Sequence, residues 1–242
     1  MRLAFLSDIH ANLQAFQAVL ADIEGQKAAE IYSLGDNVGY GPQPEEVIAL
    51  LRQRNIASIM GNHEFALLSA TYYTSLNPSA QKSISITRQL LSSETLDFIA
   101  TLPPFRTVQG CLCVHGCPPD SIVRYLYAPS DERLRRLLSL FTEPLCFFGH
   151  THNLAIYAMD SDGSSEKRRL QQEKLVFDRK RRAIINIGSV GQPRDGDYNA
   201  KYLIYDTDEN SVEIRYVPYD PSETKERILA LGFPEFNARR LG

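Results

Sequence analysis

The chain has 242 residues, of which 43% are hydrophobic and 23% are charged, a composition typical of soluble globular proteins. Its formal net charge of −3 provides no positive field that would select nucleic acid or an anionic membrane as a partner. No apolar run approaches the roughly 20 residues of a membrane span, and strand character begins at Arg2–Leu3 without a signal peptide. We therefore expect a cytoplasmic protein.

The first predicted strand, Leu3–Leu6, is a continuous apolar run of the kind buried on both faces of a sheet. Asp8 and His10 follow it, and side chains two positions apart in extended chain point to the same side. A carboxylate and an imidazole at this edge form half of a plausible divalent-metal site. Taken alone, the pair is better explained by a turn or capping residue beside a loop histidine.

Strands and helices alternate over the first 65 residues, and polar groups follow each strand. This alternation predicts an α/β core whose site lies at the carboxyl ends of the strands. The segments in order are strand Leu3–Leu6, a helix from Asn12 to Gly25, strand Ile31–Leu34, loop Gly35–Gly41, helix Glu45–Arg54, strand Ile56–Met60 and loop Gly61–Glu64.

The middle of the chain continues this pattern. Residues 79–101 have helical spacing, and the strand Cys111–Val114 ends in His115. An amphipathic helix over Asp131–Leu140 precedes the strand Leu145–Phe148, which ends in Gly149-His150-Thr151-His152.

From residue 154 the sequence becomes β-rich. A closing helix over Ser222–Leu231 carries a possible cap at Ser222. We expect a single domain over residues 1–242, with an α/β half (1–153) and a β-rich half (154–242) whose sheet packs against the first. The predicted strands are Leu154–Met159, Leu175–Phe177, Ala183–Ile187, Tyr202–Tyr205 and Val212–Val217.

Three further features have more than one interpretation. Cys111, Cys113 and His115 alternate along an apolar run, which favours reduced core cysteines over a structural zinc site. The spacing of all four cysteines, including Cys117 and Cys146, also does not fit the dispersed pattern of a secreted disulfide framework. The polar segment Asp160–Arg182 contains two basic runs, including Arg179–Arg182, and favours a solvated hairpin over a nucleic-acid patch. Ordinary packing is favoured over a role in lining a pocket or an interface for Tyr72, Tyr73, Tyr125 and Tyr127.

The histidines carry the functional signal, because every one follows the end of a predicted strand. His10, His63, His115, His150 and His152 are accompanied there by Asp8, Asp36 and Asn62. A mixed oxygen and imidazole set without thiolate suits Mn, Fe or Zn. Such a set is too large for one metal ion and about right for two that share a bridging carboxylate.

The ordered motifs resemble those of the calcineurin-like metallophosphoesterase family. The matching residues are Asp8-x-His10, Gly35-Asp36, Gly61-Asn62-His63-Glu64, His115 and Gly149-His150-x-His152. The segments Gly35–Pro42 and Gly188–Asp197 resemble its bacterial and archaeal phosphodiesterase-like branch, which extends the match over most of the chain.

The resemblance implies a four-layer α/β fold, with two mixed β-sheets flanked by helices, and a dinuclear metal centre. Metal one would be held by Asp8, His10, Asp36 and His152, and metal two by Asp36, Asn62, His115 and His150. It also implies in-line attack of a metal-bridging hydroxide on phosphorus, with His63 as the general acid.

Two positions depart from the family pattern. Gly39 stands where many members carry an Asp that pairs with the catalytic histidine, and Tyr40 stands where the protein phosphatases carry a phosphate-binding Arg. Arg194 is a candidate replacement anion ligand, or else a surface arginine in a turn. Asn12 is a candidate phosphate ligand, or else a helix N-cap.

We therefore expect a metal-dependent phosphoesterase acting on a small phosphodiester, phosphomonoester or nucleotide. A dinucleoside polyphosphate hydrolase or a protein phosphatase is the alternative, and a non-catalytic metal-binding scaffold is a further one. The expected partner is a small phosphorylated substrate, while oligomeric state stays open.

Overall fold

Two six-stranded mixed β-sheets form the centre of the fold, and helices cover their outer faces. The computed structural model describes residues 1–178 and 180–242. Its strands are β1 (Arg2–Leu6), β2 (Glu30–Ser33), β3 (Ala57–Ser58), β4 (Phe105–Val108), β5 (Cys111–Val114), β6 (Leu145–Phe148), β7 (Ala155–Met159), β8 (Ser165–Arg169), β9 (Lys174–Val176), β10 (Arg182–Asn186), β11 (Ala200–Asp206) and β12 (Ser211–Val217).

The helices lie mainly in the first two thirds of the chain. They are α1 (Leu13–Gln26), α2 (Pro44–Gln53), α3 (Asn62–Leu68), α4 (Ala70–Ser75), α5 (Pro78–Gln89), α6 (Ser93–Ala100), α7 (Asp131–Leu138), α8 (Ser222–Ala230) and α9 (Glu235–Arg239). Within the described ranges, no helix is long and apolar enough to span a membrane.

One sheet has the strand order β3-β2-β1-β11-β12-β9, and the other has the order β4-β5-β6-β10-β7-β8. In the first sheet, β1 runs parallel to β2 and antiparallel to β11. In the second, β6 runs parallel to both β5 and β10. The parallel strands therefore end along one edge of each sheet, and these two edges bring the site residues together.

The second half of the chain does not build a sheet of its own, so that prediction is wrong. Strands β7, β8 and β10 complete the sheet of β5 and β6, whereas β9, β11 and β12 complete the sheet of β1 and β2. The physical reason is that β1 and β6 are apolar on both faces and need a hydrogen-bonded neighbour on each side.

Alternate residues of β1 face different layers, as expected for a strand buried on both sides. Leu3 and Phe5 pack between the sheets, where the Phe5 and Phe147 ring centroids lie 4.8 Å apart. Ala4 and Leu6 face the outer helices together with Phe16 of α1. On the far side, Leu134 of α7 packs against Phe148. The predicted four-layer arrangement is therefore confirmed.

The cysteines lie in these layers as free, buried thiols, in keeping with their interpretation as core residues. The segment Asp160–Arg182 is largely solvated, as predicted, but its two strands do not pair as a hairpin: β8 pairs with the preceding β7, and β9 pairs with β12 in the other sheet. Arg179, which belongs to the second basic run, lies outside the described residues.

Several element boundaries differ from the predictions. Residues 79–101 form two helices, because Ser92 caps α6 by accepting a hydrogen bond from the Thr95 amide. Ser222 is the first residue of α8 rather than its cap, and its hydroxyl donates to Asp220. The predicted strand Ile56–Met60 shortens to the two residues of β3.

Candidate metal centre

The carboxyl ends of β1, β2, β5 and β6 meet at one point of the molecule, where all the predicted ligands lie. Each of these side chains is at most 5% exposed. Asp8 and His10 follow β1, Asp36 follows β2, Asn62 and His63 begin α3, His115 follows β5, and His150 and His152 follow β6.

The backbone at these strand ends adopts the left-handed region, which is uncommon for residues other than glycine. Asp8, Asp36 and His150 have φ values of 54°, 53° and 65°. His10 and His152 lie there too, at 49° and 59°. Such local strain is characteristic of functional sites, where the surrounding fold imposes it to aim a side chain.

The ligand atoms form two clusters that meet at Asp36. Asp8, His10 and His152 offer atoms within 4.8 Å of one another, and so do Asp36, His115 and His150. The Asp36 carboxylate oxygen Oδ2 lies 3.3 Å from Nε2 of His115 and 3.7 Å from Nε2 of His10. Asp36 therefore lies within reach of both clusters, at the position predicted for a bridging ligand.

Asn62 belongs to the second cluster, since its Oδ1 lies 3.1 Å from Nε2 of His115. In the first cluster, Nε2 of His152 lies 3.2 Å from Oδ1 of Asp8. His63 is close to both clusters as well, and its Nε2 lies 4.0 Å from Oδ2 of Asp36.

Backbone carbonyls set the direction of the imidazoles. A carbonyl oxygen only accepts hydrogen bonds, so the ring nitrogen facing it carries the proton and the other nitrogen presents its lone pair. Nδ1 donates to a carbonyl in three rings: His10 to Val38 (3.1 Å), His115 to Leu34 (2.8 Å) and His152 to Gln192 (2.6 Å). In His150 the roles reverse, because Nε2 faces the Val123 carbonyl at 3.3 Å.

The inward lone pairs then face each other, and this arrangement fits a cation. Nε2 of His10 and Nε2 of His152 lie 3.1 Å apart beside the Asp8 carboxylate. Two unprotonated nitrogens and a carboxylate repel at this distance unless a positive charge lies between them. Fixing the remote nitrogen of a ligand histidine with a carbonyl is a common support of metal sites.

The electrostatics of the cluster keep the carboxylates ionised. Burial alone would raise the pKa of Asp8 and of Asp36, but the neighbouring imidazoles of His152 and His115 hold both values below the ordinary range. Ionised carboxylates are the form that binds metal.

Burial shifts the pKa of the imidazoles in the opposite direction. It lowers the pKa of His10 and His152, takes that of His63 to about 4 and takes that of His150 to about 3. His115 differs, because the Asp36 carboxylate outweighs burial and raises its pKa to about 9. Metal binding at His115 would therefore release a proton.

His63 is held in a different way from the other histidines. Its backbone amide donates to Oδ1 of Asp36 at 2.8 Å, and its ring lies 4.3 Å from that of Tyr40. Nδ1 is buried and, among the described residues, has no hydrogen-bond partner. Gly39 adopts a φ of +84°, and a Cβ there would lie 2.0 Å from that Nδ1. The glycine thus leaves space for the ring at the position where the family resemblance implied a carboxylate.

Glu64 is a buried residue of the site that sequence reasoning did not assign. Its carboxylate accepts hydrogen bonds from the amides of Asp36 (2.9 Å), Asn37 (2.7 Å) and Gly61 (3.0 Å). Burial and the Asp36 charge raise its pKa to about 7. The sequence did contain a signal for this role, because a Glu at the third position of a helix typically accepts a hydrogen bond from a backbone amide at the helix start.

Asn12 is the N-cap of α1, where Oδ1 accepts from the Ala15 amide at 3.1 Å. Its amide nitrogen donates to the Gly191 carbonyl and the Tyr219 hydroxyl, at 2.9 and 3.0 Å. These contacts follow the N-cap interpretation, and the phosphate role stays a prediction.

Arg194 lies at the mouth of the site, with its guanidinium 5.8 Å from the Tyr40 ring centroid. Its Nη2 donates to Oε1 of Gln192 at 2.9 Å, and its buried Nε has no hydrogen-bond partner in the described part of the chain. Arg240, which the sequence did not single out, donates to the same Gln192 oxygen at 3.1 Å. The two arginines thus gather positive charge on the Tyr40 side.

Comparison with known proteins finds related sequences and structures that cover most or all of this chain. The sequence profile of the calcineurin-like phosphoesterase superfamily domain matches residues 1–210. An uncharacterised protein of Methanocaldococcus jannaschii is 33% identical over 244 residues, covering 99% of this chain and 96% of that protein. The crystal structure of a metallophosphoesterase from Sphaerobacter thermophilus is 36% identical, with a TM-score of 0.85 and coverage of 100% and 98%. A hypothetical protein from Pyrococcus horikoshii, 20% identical, shares the fold at a TM-score of 0.78, with coverage of 99% and 97%.

Proposed function

The chain belongs to the calcineurin-like phosphoesterase superfamily and is a hydrolase of phosphoester bonds, and we propose that it works with two divalent metal ions. Asp8, His10, Asp36 and His152 would hold one ion. Asp36, Asn62, His115 and His150 would hold the other. The observation that carries this proposal is the convergence of inward-facing imidazole lone pairs on two clusters that share Asp36.

Two divalent ions, when bound, lower the pKa of a coordinated water and offset the charge of the phosphate during attack. The donor set of carboxylate, amide and imidazole suits Mn, Fe or Zn. The identity of the ions in the cell would follow from their availability as much as from this set.

His63 would act as the general acid that protonates the departing oxygen. Its ring lies beside Asp36, and because its buried Nδ1 has no hydrogen-bond partner among the described residues, no contact to Nδ1 fixes which ring nitrogen carries the proton. Burial lowers its pKa to about 4, which leaves the free enzyme's imidazole neutral at pH 7. An anionic phosphate arriving nearby would raise that pKa, so that the ring would take up a proton from water and could pass it to the departing oxygen.

The substrate we propose is a small phosphodiester, phosphomonoester or nucleotide. Arg194 and Arg240 support an anion at the mouth, on the side where Tyr40 and His63 lie. We favour a small ester over a polyphosphate because the shared Gln192 oxygen holds the two arginines close together, which suits one phosphate group better than a long chain of phosphates.

The test compares metal-stripped and Mn²⁺-reconstituted protein on bis(p-nitrophenyl) phosphate and p-nitrophenyl phosphate, with metal content measured in parallel. We expect two ions per chain and Mn²⁺-dependent turnover of at least one ester. Asp36→Asn should lose both metal and turnover. His63→Asn should keep its metal and lose about 10²–10⁴-fold in kcat.

Asp208→Asn is the matched control, since Asp208 is a surface carboxylate with an 84% exposed side chain. Full turnover in metal-replete Asp36→Asn would contradict the proposal. So would a silent wild-type enzyme that carries two ions, which would instead favour the scaffold alternative.

A further inference from the structure

An exposed stack of aromatic rings extends outward from the metal centre. The Tyr125 ring lies on the His150 imidazole, with centroids 3.8 Å apart and planes inclined by 21°. Tyr127 continues the stack, 5.8 Å further on and inclined by only 7°. Tyr125 is 48% exposed and Tyr127 is 62% exposed. Two stacked, partly exposed aromatic rings beside the metal centre offer a surface on which a flat ligand ring can pack.

A cavity of about 470 Å³ opens beside Tyr127. This volume lies within the roughly 300–1,000 Å³ of typical small-molecule sites. Thr151, Asn153 and Tyr157 line it together with Tyr127. Thr151 lies between His150 and His152 in sequence, so the cavity wall includes part of the loop that carries these two proposed ligands.

The charges around this cavity largely cancel. Lys167 pairs with Asp131, and Arg168 pairs with Glu173 through two hydrogen bonds of 2.7 and 2.8 Å. Arg169 is the exposed cation on the rim that has no ion pair within the described ranges. A cavity of this kind suits an uncharged ring and sugar, whereas Arg194 and Arg240 lie on the Tyr40 side of the centre.

Polar atoms on the cavity wall are positioned to hydrogen-bond with the edge of such a ring. The Asn153 amide nitrogen donates to the Thr151 carbonyl at 2.7 Å, which fixes the side chain. Its half-buried Oδ1 is then available to accept a hydrogen bond from an exocyclic amino group. An aromatic face with a fixed acceptor beside it is the usual way to bind an unpaired base.

We propose that Tyr125, Tyr127 and the adjoining cavity form a subsite for the nucleobase of the phosphoester substrate. This inference rests on the proposed function and narrows its substrate class to nucleotides and their esters. The phosphate would lie at the metal centre, and the base would lie in the cavity against the Tyr127 ring.

The test uses two substrates with the same reacting group in the Mn²⁺-loaded enzyme: the methyl ester of adenosine 5′-phosphate and the methyl ester of ribose 5-phosphate. We expect the adenosine ester to have a kcat/KM about tenfold higher, as the loss of one stacked base typically costs that much. Tyr127→Ala should bring this ratio close to one through KM, and Tyr127→Phe should preserve it.

Phe105→Ala is the matched control, because Phe105 is a 45% exposed aromatic residue on β4, an edge strand of the second sheet. This variant should keep the wild-type ratio. A second readout needs no turnover: saturation-transfer NMR with adenosine should show contact with wild-type protein and lose it in Tyr127→Ala.

The outcomes separate the two proposals. Equal kcat/KM for both esters, or a ratio that survives Tyr127→Ala, overturns the nucleobase subsite while the phosphoesterase proposal stands. An advantage for methyl phenyl phosphate without one for the adenosine ester also overturns it, in favour of a general aryl site. Failure of the proposed function would show instead as absent turnover of every ester.

Discussion

At the scale of single residues, backbone carbonyls rather than other side chains aim the histidines of the metal centre. Val38, Leu34 and Gln192 each accept the Nδ1 proton of one imidazole. A carbonyl in a buried loop is fixed by the fold, so the rings are oriented before any ligand arrives. Pre-orientation of this kind lowers the entropy lost when a metal or a transition state binds.

Gly39 gives a prediction at this scale. Gly39→Ala would put a Cβ at 2.0 Å from Nδ1 of His63, which forces the imidazole to move. Because His63 is the proposed general acid, we expect kcat to fall about 10²–10⁴-fold. Metal content, measured by elemental analysis, should stay at the wild-type level because Gly39 lies against no other ring nitrogen of the clusters.

Gly163→Ala controls for backbone strain. Gly163 has a φ of +88°, close to that of Gly39, and a Cβ there would meet nothing within 4 Å. Gly163→Ala should lower the free energy of unfolding by about 1–2 kcal/mol, the cost of a left-handed backbone for a residue with a Cβ, and should keep wild-type activity. Equal kcat in both variants would contradict the role assigned to Gly39.

The residues of the centre were predictable because metal chemistry restricts which side chains can serve. Histidine and aspartate placed just after apolar strands are identifiable from sequence alone, as His115 and Asp36 illustrate. Glu64 and Arg240 were not assigned. Glu64 acts on backbone amides of a loop that is distant in sequence, and Arg240 reaches the site only through the packing of α9.

At the scale of elements, Lys201 of β11 fixes the loop that carries Arg194. Lys201 is fully buried, and its Nζ lies 2.9 Å from Oδ1 of Asp195 and 3.1 Å from Oδ1 of Asp197. It also lies 4.9 Å from the Tyr216 ring centroid. A buried ammonium with two carboxylates therefore ties this loop to the sheet.

Lys201→Met should lower the free energy of unfolding by about 3 kcal/mol, since it leaves the Asp195 carboxylate buried without its partner. Chemical denaturation measures this loss. Adding Asp195→Asn should recover part of it, whereas Lys174→Met, which removes an exposed surface pair with Glu209, should change little. A double variant no more stable than Lys201→Met would contradict the ion-pair explanation.

A second contact joins α1 to the first sheet. Asp22 accepts hydrogen bonds from the Tyr202 hydroxyl at 2.6 Å and from Nη2 of Arg215 at 2.9 Å. Burial opposes ionisation of Asp22, but these donors outweigh it and hold its pKa below the ordinary value of 3.8. A depressed pKa means that the stabilisation is present above about pH 3.8 and is lost as pH falls through the folded-state value.

Asp22→Asn should therefore cost about 1 kcal/mol at pH 7, a modest figure because the carboxylate is 24% exposed. The difference in unfolding free energy between wild type and variant should shrink below pH 3.8. Urea titrations at pH 7, 4 and 3 measure it. A difference that stays constant, or grows, on acidification would contradict the assigned ion pair.

Elements with strong periodicity were predicted within a few residues, as with β6 and α1. The sequence did not reveal α4 or β8, because α4 has no buried residue and β8 is mostly exposed. Neither has the apolar period on which such predictions depend. Both form because adjacent elements supply their contacts.

At the scale of the whole molecule, the metal centre joins the two sheets. Asp8 and Asp36 come from the sheet of β1, whereas His115, His150 and His152 come from the sheet of β6. Ions bound between them would crosslink the two halves of the fold. Any ligand that binds only the folded state stabilises it by an amount that grows with the logarithm of its concentration relative to Kd.

Chelation should therefore lower the melting temperature. Saturation of one site at 100 times its Kd contributes about 2.7 kcal/mol, equivalent to roughly 5–10 °C for a chain of this length. Differential scanning calorimetry with EDTA and with Mn²⁺ measures the shift. Asp36→Asn should abolish more of it than His152→Ala, because Asp36 serves both sites; the reverse order would contradict the shared ligand.

The pairing of the second half with both sheets was not predictable, because strand order depends on contacts distant in sequence. Val212–Val217 and Ala183–Ile187 are both recognisable as strands from sequence, yet nothing in their patterns indicates that β12 and β10 belong to different sheets. Periodicity identifies a strand and its buried face but not its neighbour.

This interleaving affects how the protein is made. Strand β11 lies beside β1, and β10 lies beside β6. During synthesis, each of these apolar strands exposes an open edge until residues 182–206 leave the ribosome, and such edges pair readily with other chains. The nascent polypeptide thus contains every proposed metal ligand, all within residues 8–152, before either sheet is complete. Its yield in the cell should depend on chaperones that cover those edges during translation.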